Sequence, residues 1–323
     1  MDLNSISLQP IQAKTVAILG YGNQGRAQAL NLRDSGVNVI VGARTGVGFD
    51  LAKKDGFNPA SFESAISQSH IVMYLFPDHV IPKVYSETKH FLKKTEAVGF
   101  AHGFCYHFGW IEKLESCQYF LVGSKGAGAV LRDAFERGSG LPGVYALGKE
   151  NRVLETLVQS YAKAIGLASH VLLKTTFQEE TECDLFGEQV VLCGGLLELM
   201  ESAFETLVQA GFNPEMAFLE CCYEAKTIIE LWMKYGPNGL TEKISPTAFY
   251  GGITRGKRII DEKAKEEIKQ LLREIQSGDF AKAWSEEVQT GEKLLKREKA
   301  RIKNSSLEKT FQDLLQKKVK RPL

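Results

Sequence analysis

The sequence predicts a two-domain α/β protein, with a doubly wound parallel sheet in the first half and an all-helical second half. Short apolar runs alternate with helix-compatible segments up to about Lys174, an alternation typical of parallel sheets covered by helices. Beyond that residue, apolar side chains recur at helical spacing in long segments that end near glycines. This change of pattern places a boundary after residue 175, so we expect domains at residues 1–175 and 176–323.

Four apolar runs in the first half have the length and composition of buried strands. In chain order they read "TVAIL" from Thr15, "VNVIVGA", "SHIVMYLFP" and "EAVGFAH", with helical segments such as "RAQALNLRDSG" between them. Doubly wound sheets bind their ligands at the carboxyl ends of the strands. Functional residues of this half are therefore expected directly after these runs.

The second half is predicted to be nearly all helical. Its long periodic segments read "LLELMESAFETLVQAG", "PEMAFLECCYEAKTIIELWMKYG" and "DEKAKEEIKQLLREIQSG". The basic last stretch, "LLKREKARIKNSSLEKTFQDLLQKKVKRPL", fits a solvated amphipathic helix with a frayed tail. A specific anion or partner site is the alternative for that stretch.

The composition is ordinary for a soluble globular protein, with 323 residues, of which 44% are hydrophobic and 24% charged. A net charge of +1 gives no electrostatic reason to expect nucleic acid or an anionic membrane as a partner. The chain begins without a basic segment and apolar core, and no apolar run reaches about eighteen residues, so we expect neither a signal peptide nor a membrane span. Six cysteines without CxxC spacing fit a reducing compartment, and the cytoplasm is the expected location.

The first strand run leads into a glycine motif typical of dinucleotide-binding, Rossmann-type domains. "AILGYGNQG" has G-x-G-x-x-G spacing between a strand and a helix, as tight turning and close approach to a pyrophosphate require. The alternative is a glycine turn that binds no ligand. The motif supplies the first expected cofactor contacts: Gly20, Tyr21, Gly22, Asn23, Gln24 and Gly25.

The second strand run indicates which nucleotide is bound. It ends "VGART", so Arg44 stands where NAD-selective sites usually carry an acidic residue for the ribose hydroxyls. A guanidinium favours a 2′-phosphate, which indicates NADP(H). Alternatively Arg44 stacks on the adenine, and NADH remains possible. The third strand run is followed by a further set of expected cofactor contacts, namely Asp78, His79, Val80 and Ile81.

Two carboxylate pairs stand out in apolar, helix-like stretches of the second half. In "TECDLFGEQVVLCGG" Asp184 and Glu188 are four residues apart, and in "FLECCYEAK" Glu220 and Glu224 repeat the spacing. Residues four apart share a helix face, and burying two carboxylates there without a cation is costly. Hard divalent metals take such oxygen ligands. Because both pairs lie in one helical domain, we favour a metal site over partly exposed surface carboxylates.

Three further residues are weaker candidates when each is taken alone. His102 in "GFAHGF" follows the fourth strand run and is expected near the nicotinamide, as a proton donor, a charge stabiliser or a structural residue. Lys125 lies in the glycine-rich "GSKGAG", where its ammonium could meet a substrate or phosphate oxygen or simply face solvent. Ser245 in "KISPT" precedes a proline, which is usually turn chemistry.

These segments together resemble the ketol-acid reductoisomerases, in the short form with a single helical domain. The resemblance covers nearly the whole chain. "EETECDLFGEQVVLCGG" is its most specific segment, and it is supported by "AILGYGNQGRAQALNLRDSG", "KDGFNP", "FAHGF", "LVQAGFNPEMAFLECCYE" and "IIDEKAKEEIKQLLREIQSGDFAKAW". It implies a Rossmann-type NADP-binding domain followed by an all-α, knotted domain. It also implies Mg²⁺-dependent alkyl migration of 2-acetolactate or 2-aceto-2-hydroxybutanoate and then reduction by NADPH, in valine and isoleucine biosynthesis.

The resemblance implies a role for each carboxylate. Asp184 would bridge two Mg²⁺ ions and Glu188 would bind one of them. Glu220 and Glu224 would complete the metal site of a partner subunit, so the chain would form a homodimer or a higher homo-oligomer.

Four other residues receive roles in the same way. His102 corresponds to the family's catalytic histidine, and Lys125 to the lysine of a glycine-rich loop that also acts in the reaction. Gly128 is the glycine of that loop beside the cofactor, and Ser245 contacts the substrate carboxylate.

The chain departs from the family pattern at four places. The segment after Arg44, "TGVGFD", is a residue short and lacks the serines that usually hold the 2′-phosphate, so the resemblance leaves Arg44 and Thr45 as the expected contacts. The segment "SKGAGAV" lacks the usual prolines around Lys125. Phe249 stands where a glutamate is usual, and "GNQGRA" replaces "GSQGHA". Two alternatives therefore stay open: a plain NADP-dependent hydroxy acid dehydrogenase, which needs no acidic pairs, and a catalytically silent nucleotide-binding protein.

Overall fold

The structure is a computed structural model and describes residues 5–167 and 171–316. The chain divides into two compact units, Met1–Cys183 and Asp184–Leu323. The final "KKVKRPL", where the sequence predicts a frayed tail, lies outside the described residues.

A seven-stranded sheet forms the centre of the first unit, in the order β2-β1-β3-β4-β5-β6-β7. The strands are β1 (Thr15–Leu19), β2 (Asn38–Gly42), β3 (Ile71–Tyr74), β4 (Ala97–Phe100), β5 (Gln118–Ser124), β6 (Gly143–Leu147) and β7 (Leu172–Lys174). The four predicted strand runs form β1 to β4, and their parallel pairing confirms the predicted fold class.

One strand differs from the predicted pattern, because β6 runs antiparallel to β5 while β7 is parallel to β6. After β5 the chain passes through one short helix and returns to the same end of the sheet. There the amide of Lys125 donates to the carbonyl of Pro142 over 3.0 Å, and Ser124 pairs with Gly143. The next strand therefore begins beside the end of β5 and runs back along it.

Helices make up most of the remaining described chain. In the first unit they are α1 (Gln9–Gln12), α2 (Asn23–Asp34), α3 (Val47–Lys54), α4 (Phe62–Ser67), α5 (Ile81–Thr88), α6 (Phe104–His107), α7 (Gly128–Glu136), α8 (Arg152–Ala164) and the start of α9 (Phe177–Gly187). Those that follow are α10 (Gly195–Gln209), α11 (Pro214–Phe218), α12 (Glu224–Thr241), α13 (Pro246–Ile259), α14 (Glu262–Ser277), α15 (Asp279–Gln289), α16 (Lys293–Lys303) and α17 (Ser306–Phe311). A 3₁₀ segment covers Lys89–Lys94, and π-helical segments cover Glu188–Leu192, Leu219–Tyr223 and Gln312–Gln316.

Helices cover both faces of the sheet in the first unit. Val16 and Ile18 of β1 share one core with side chains of α2 and α8. Leu19 points to the other face, since side chains alternate along a strand, and it lies by Gly42 and Ala65 of α4. The sheet is thus buried on both sides, which explains why its strands read as continuous apolar runs.

The second unit has a much smaller core. Phe204, Ala217, Phe218 and Cys222 form a small buried cluster in it. Many large apolar side chains of α10 to α13 are exposed instead, among them Met233, which is 76% exposed. None of the helices in the described part of the chain has the length and hydropathy needed to cross a membrane.

Candidate active site

The glycine motif forms a tight turn between β1 and α2. Gly20 has a φ of 92°, a conformation that favours glycine. A Cβ on Gly25 would lie 2.1 Å from the carbonyl oxygen of Gly20, so only glycine permits this approach of helix to strand. Because α2 begins at Asn23 directly after the turn, its free amides and dipole favour an anionic group there, and the turn fits a dinucleotide pyrophosphate.

A partly exposed network of hydrogen bonds and an ion pair anchors this turn. The hydroxyl of Tyr21 donates to Asp55 over 2.9 Å, and the Arg26 guanidinium donates to both oxygens of the same carboxylate at 2.7 and 3.0 Å. The hydrogen bond from Arg26 is the main reason that the pKa of Asp55 lies below its usual value. The loop before residue 57 is thereby fixed to the glycine turn and to the first turn of α2.

Two cavities meet at the turn, at the carboxyl edge of the sheet. One of about 280 Å³ is lined by Gly22, Asn23, Gln24, Tyr74, Leu75, Phe76, Pro77, Asp78, Ile81, Ala101 and His102. The other, of about 420 Å³, is lined by Gly20, Tyr21, Gly22, Ala43, Arg44, Val47, Gly48, Phe62, Leu75, Phe76, Pro77, Val80 and Val84. Most expected cofactor contacts thus line two adjoining spaces, while Thr45 is exposed beside Arg44 and His79 is half-buried beside Asp78.

Arg44 closes the rim of the larger cavity. Its guanidinium lies 5.2 Å from the centre of the Phe62 ring and pairs with the Glu87 carboxylate over 2.5 Å. The Arg44 side chain is 59% exposed, so it stays accessible from solvent. Both sequence-based interpretations, a contact with a 2′-phosphate or stacking on the adenine, remain compatible with this position.

A buried carboxylate absent from the sequence-based candidates lies at the centre of the site. The side chain of Glu180, on α9, is only 3% exposed and accepts a hydrogen bond from the amide of Gly103 over 3.0 Å. Its oxygens also lie 3.1 Å from Nδ1 of His102 and 4.0 Å from Nζ of Lys125. The structure therefore brings the two predicted catalytic residues together around one anion. One feature of the sequence could have identified Glu180 as a candidate. It lies four residues, or one helical turn, before the predicted metal ligand Asp184.

The loop that carries Lys125 is tied to the glycine motif. The amide of Gln24 donates to Oγ of Ser124 and to the carbonyl of Gly126, at 3.2 and 3.1 Å. A Cβ on Gly128 would meet the carbonyl oxygen of Asn23 at 2.1 Å, so this glycine allows α7 to approach α2. Lys125 is thereby placed relative to the cofactor turn by two of the predicted contacts.

Each predicted metal-binding pair of the second half lies at a π-helical turn. Asp184 is half-buried near the end of α9, and Glu188 opens the first π segment. Glu220 lies in the second π segment, and Glu224 opens α12. π turns within helices are rare and occur frequently at functional sites.

The carboxylates are less buried than the sequence suggests. Glu188, Glu220 and Glu224 are exposed, so the expectation of like charges buried within an apolar helix is wrong for the single chain. The apolar neighbours are exposed as well, including Val191 at 53% and Tyr223 at 52%. Apolar spacing identifies the side of a helix that avoids water, but nothing within the described chain covers that side here.

Ser245 is the N-cap of α13. Its Oγ accepts a hydrogen bond from the amide of Ala248 over 3.1 Å, as the position before a helix-initiating proline favours. Because the cap uses only the oxygen as an acceptor, the O–H of this exposed residue can still donate a hydrogen bond to a ligand.

Comparison with known families and structures identifies close relatives across the chain. The model of the acetohydroxy acid isomeroreductase NADPH-binding domain matches residues 10–170, and that of the ketol-acid reductoisomerase C-terminal domain matches residues 177–319. Proteins named ketol-acid reductoisomerase (NADP(+)) are 44% identical in both Methanocaldococcus jannaschii and Methanopyrus kandleri. They align over 290 residues (88% of this chain and 88% of the relative) and 311 residues (95% and 94%), respectively.

A solved structure agrees over nearly the same length. The NADH-preferring ketol-acid reductoisomerase of an uncultured archean superposes with a TM-score of 0.94 at 36% identity, covering 98% of both chains.

Proposed function

The chain belongs to the ketol-acid reductoisomerase family, and we propose that the residues described above form the site of that reaction. The reaction is the Mg²⁺-dependent alkyl migration of 2-acetolactate, or its ethyl homologue, followed by reduction with NADPH to a 2,3-dihydroxy-3-alkyl acid. Matches to both family domains disfavour a plain hydroxy acid dehydrogenase and a silent nucleotide-binding protein. We propose that residues 1–175 form the NADP-binding domain and residues 176–323 the helical domain.

The nicotinamide cofactor fits the turn after β1. The pyrophosphate would lie on the amides at the start of α2, and the adenine end would extend into the cavity closed by Arg44. The bound cofactor supplies the hydride. Gly20 and Gly25 let the backbone approach it, while Gln24 connects the same turn to the loop of Lys125.

Four carboxylates would hold the metal ions: Asp184 and Glu188 from one chain, with Glu220 and Glu224 of the partner subunit. Mg²⁺ prefers oxygen donors such as carboxylates, and these four residues supply carboxylates only. The assignment of Mg²⁺ depends on this match. Bound Mg²⁺ supplies Lewis-acid polarisation of the substrate's oxygens. The hydroxyl of Ser245 would donate a hydrogen bond to the substrate carboxylate.

Glu180 would act as a positioning residue. Its buried carboxylate accepts from the amide of Gly103 and holds His102 and Lys125 on either side. A buried carboxylate must be compensated by partners, and here the amide of Gly103, the imidazole of His102 and the ammonium of Lys125 supply them. The imidazole of His102 can then exchange a proton with the substrate, and the ammonium of Lys125 can bind a substrate oxygen.

Assembly into a homodimer or a higher homo-oligomer is supported by the exposed apolar surface of the second unit. The exposed large apolar side chains of α12 include Ile228, Ile229, Trp232, Met233 and Tyr235. Soluble monomers rarely leave such a continuous apolar surface in water, whereas contact with another copy removes it. The same surface adjoins Glu220 and Glu224, so contact would also lower the exposure of the two carboxylates.

A cytoplasmic location is proposed on the state of the cysteines. All six are free thiols, and two of them, Cys105 and Cys117, are buried. This usage fits a reducing compartment.

Steady-state kinetics tests the proposed reaction directly. Oxidation of NADPH should require both 2-acetolactate and Mg²⁺, and it should stop after exhaustive chelation and return when Mg²⁺ is restored. Oxidation that continues undiminished in the chelated enzyme would contradict the metal-dependent reaction and favour a plain dehydrogenase.

A further inference from the structure

The ion pair of Arg44 lies at the position where cofactor choice is decided. Arg44 follows β2 and lines the larger cavity, and its guanidinium contacts both the Phe62 ring and the Glu87 carboxylate. Glu87 belongs to α5, an element far from the glycine motif in sequence. The sequence gives no reason to connect these two residues, because the pairing depends on how α5 packs beside β2.

Glu87 lies on the cavity-lining side of α5. Val80, Val84 and Glu87 are spaced four and three residues apart, and this spacing places them on one helix face. Val80 and Val84 line the larger cavity, and Glu87 continues their row as far as Arg44. The carboxylate therefore stands beside the space where the ribose end of a nucleotide would approach Arg44.

We propose that Glu87 is a specificity-determining residue that weakens the preference for NADPH by competing with the 2′-phosphate for Arg44. This proposal deepens the cofactor assignment made above. A nucleotide without a 2′-phosphate leaves the ion pair intact, and its adenine can stack on the planar guanidinium that lies over Phe62. A nucleotide with a 2′-phosphate must displace the carboxylate from the guanidinium or bind beside a like charge.

The exposure of the pair sets the size of the effect. The side chains of Arg44 and Glu87 are 59% and 45% exposed, so water and salt screen their attraction. Replacing the carboxylate by its amide, Glu87→Gln, should therefore tighten 2′-phosphate binding by about two- to five-fold, the range that exposed ion pairs support. The gain should shrink as ionic strength rises.

Equilibrium binding of two nucleotide fragments to the full-length protein tests the proposal. Adenosine 2′,5′-bisphosphate should bind Glu87→Gln more tightly than the parent protein, whereas adenosine 5′-monophosphate should bind both equally. The measurement needs neither acetohydroxy acid nor Mg²⁺, so its failure is distinguishable from failure of the proposed reaction. Equal tightening for both fragments, or no change for either, would overturn the proposal.

Two controls separate the ion pair from a general charge effect. Glu96→Gln removes an equally exposed carboxylate, 45%, which pairs with Lys14 before β4, away from the carboxyl edge of the sheet. This variant should bind both fragments with the affinity of the parent protein. If it binds adenosine 2′,5′-bisphosphate as tightly as Glu87→Gln does, the effect is due to net charge and the proposal is wrong. In an Arg44→Ala background Glu87→Gln should lose most of its gain, because coupled residues are not additive. An undiminished gain there would show that Glu87 does not act through Arg44.

Discussion

The two units of this chain bury their apolar side chains to very different extents. In the first unit both faces of the sheet are covered, and strand residues such as Ile18 and Val72 are fully buried. In the second unit Trp232 and Met233 remain 48% and 76% exposed. The first unit therefore completes its core within its own described residues, whereas the second leaves large apolar side chains exposed to solvent.

The same contrast separates the functional groups. Glu180 lies in the first unit, with His102 and Lys125 beside its carboxylate. The carboxylates Glu188, Glu220 and Glu224 are exposed to water in the second. Nucleotide binding should therefore be a property of the first unit, while metal-dependent turnover should depend on the second unit and on assembly.

The largest effect is expected at the proposed bridging ligand. Asp184→Asn removes a metal-binding charge while keeping the shape of the side chain. Turnover should fall by about a thousand-fold or more, because Lewis-acid stabilisation contributes several kcal/mol. The affinity for NADPH, measured by fluorescence titration, should be nearly unchanged. Asp279→Asn, at an exposed residue of α15, should be neutral, and retained turnover in Asp184→Asn would refute the proposed role.

The second prediction concerns the exposed apolar surface of α12. Met233→Glu places a charge where we expect a contact between subunits, and burying an unpaired charge is strongly unfavourable. The oligomer should dissociate in light scattering. Turnover should fall roughly a hundred-fold, because each proposed metal site would lose two carboxylates and with them several kcal/mol of Lewis-acid stabilisation. Val153→Glu, at an 81% exposed residue of α8, is the matched control and should change neither property. An intact oligomer in Met233→Glu would place the interface elsewhere.

The same contrast explains how far the sequence predicts the structure. The strands β1 to β4 and the long helices can be predicted from hydrophobic spacing. A strand buried on both faces is a continuous apolar run, whereas a helix buried on one face has apolar residues three and four positions apart. The antiparallel β6 does not, since its direction depends on where the chain returns after α7. Glu180 meets His102 across 78 positions of sequence, and no local pattern encodes that distance. The exposure of Glu220 was also unpredictable, because periodicity shows that a helix has an apolar side but not which chain covers it.

The third prediction tests whether the first unit organises its own catalytic residues. Glu180→Gln keeps an acceptor for the amide of Gly103 but loses the charge that faces His102 and Lys125. The kcat should fall about ten- to a hundred-fold, with NADPH affinity retained. This is less than the roughly 10²- to 10⁴-fold contribution of a proton-transfer group itself, because Glu180 acts through His102 and Lys125. Glu179→Gln changes the adjacent, exposed carboxylate and should leave kcat unaltered. A rise in KM alone would instead indicate that Glu180 only supports substrate binding.

The fourth prediction concerns cofactor choice within the first unit. Arg44→Ala removes a charge-assisted contact worth roughly 1.5 to 3 kcal/mol if the 2′-phosphate binds there. The KM for NADPH should then rise at least several-fold more than the KM for NADH, measured side by side with saturating 2-acetolactate. Equal increases for both cofactors would favour stacking of Arg44 on the adenine.

The smallest effect is expected from the network that fixes the glycine turn, and it tests whether the first unit is stable through its own contacts. Hydrogen bonding from Arg26 lowers the pKa of Asp55 from its ordinary 3.8, so the carboxylate stabilises the fold above that pH. The stabilisation is lost as the pH falls through the lower folded pKa. Asp55→Asn should therefore lower the free energy of opening by about 1 kcal/mol near neutral pH, less than a fully buried pair because Arg26 is 46% exposed.

Amide hydrogen exchange of β1 measures this change within the first unit alone, without requiring two-state unfolding of the whole chain. The difference between Asp55→Asn and the parent protein should narrow below about pH 3.8, where the carboxyl group begins to take up its proton in the unfolded chain. Asp50→Asn, at an exposed residue of α3, should show no such difference. An equal loss of protection in the amides of α12 would mean that the two units share their stability, and the first unit would then not be stable through its own contacts alone.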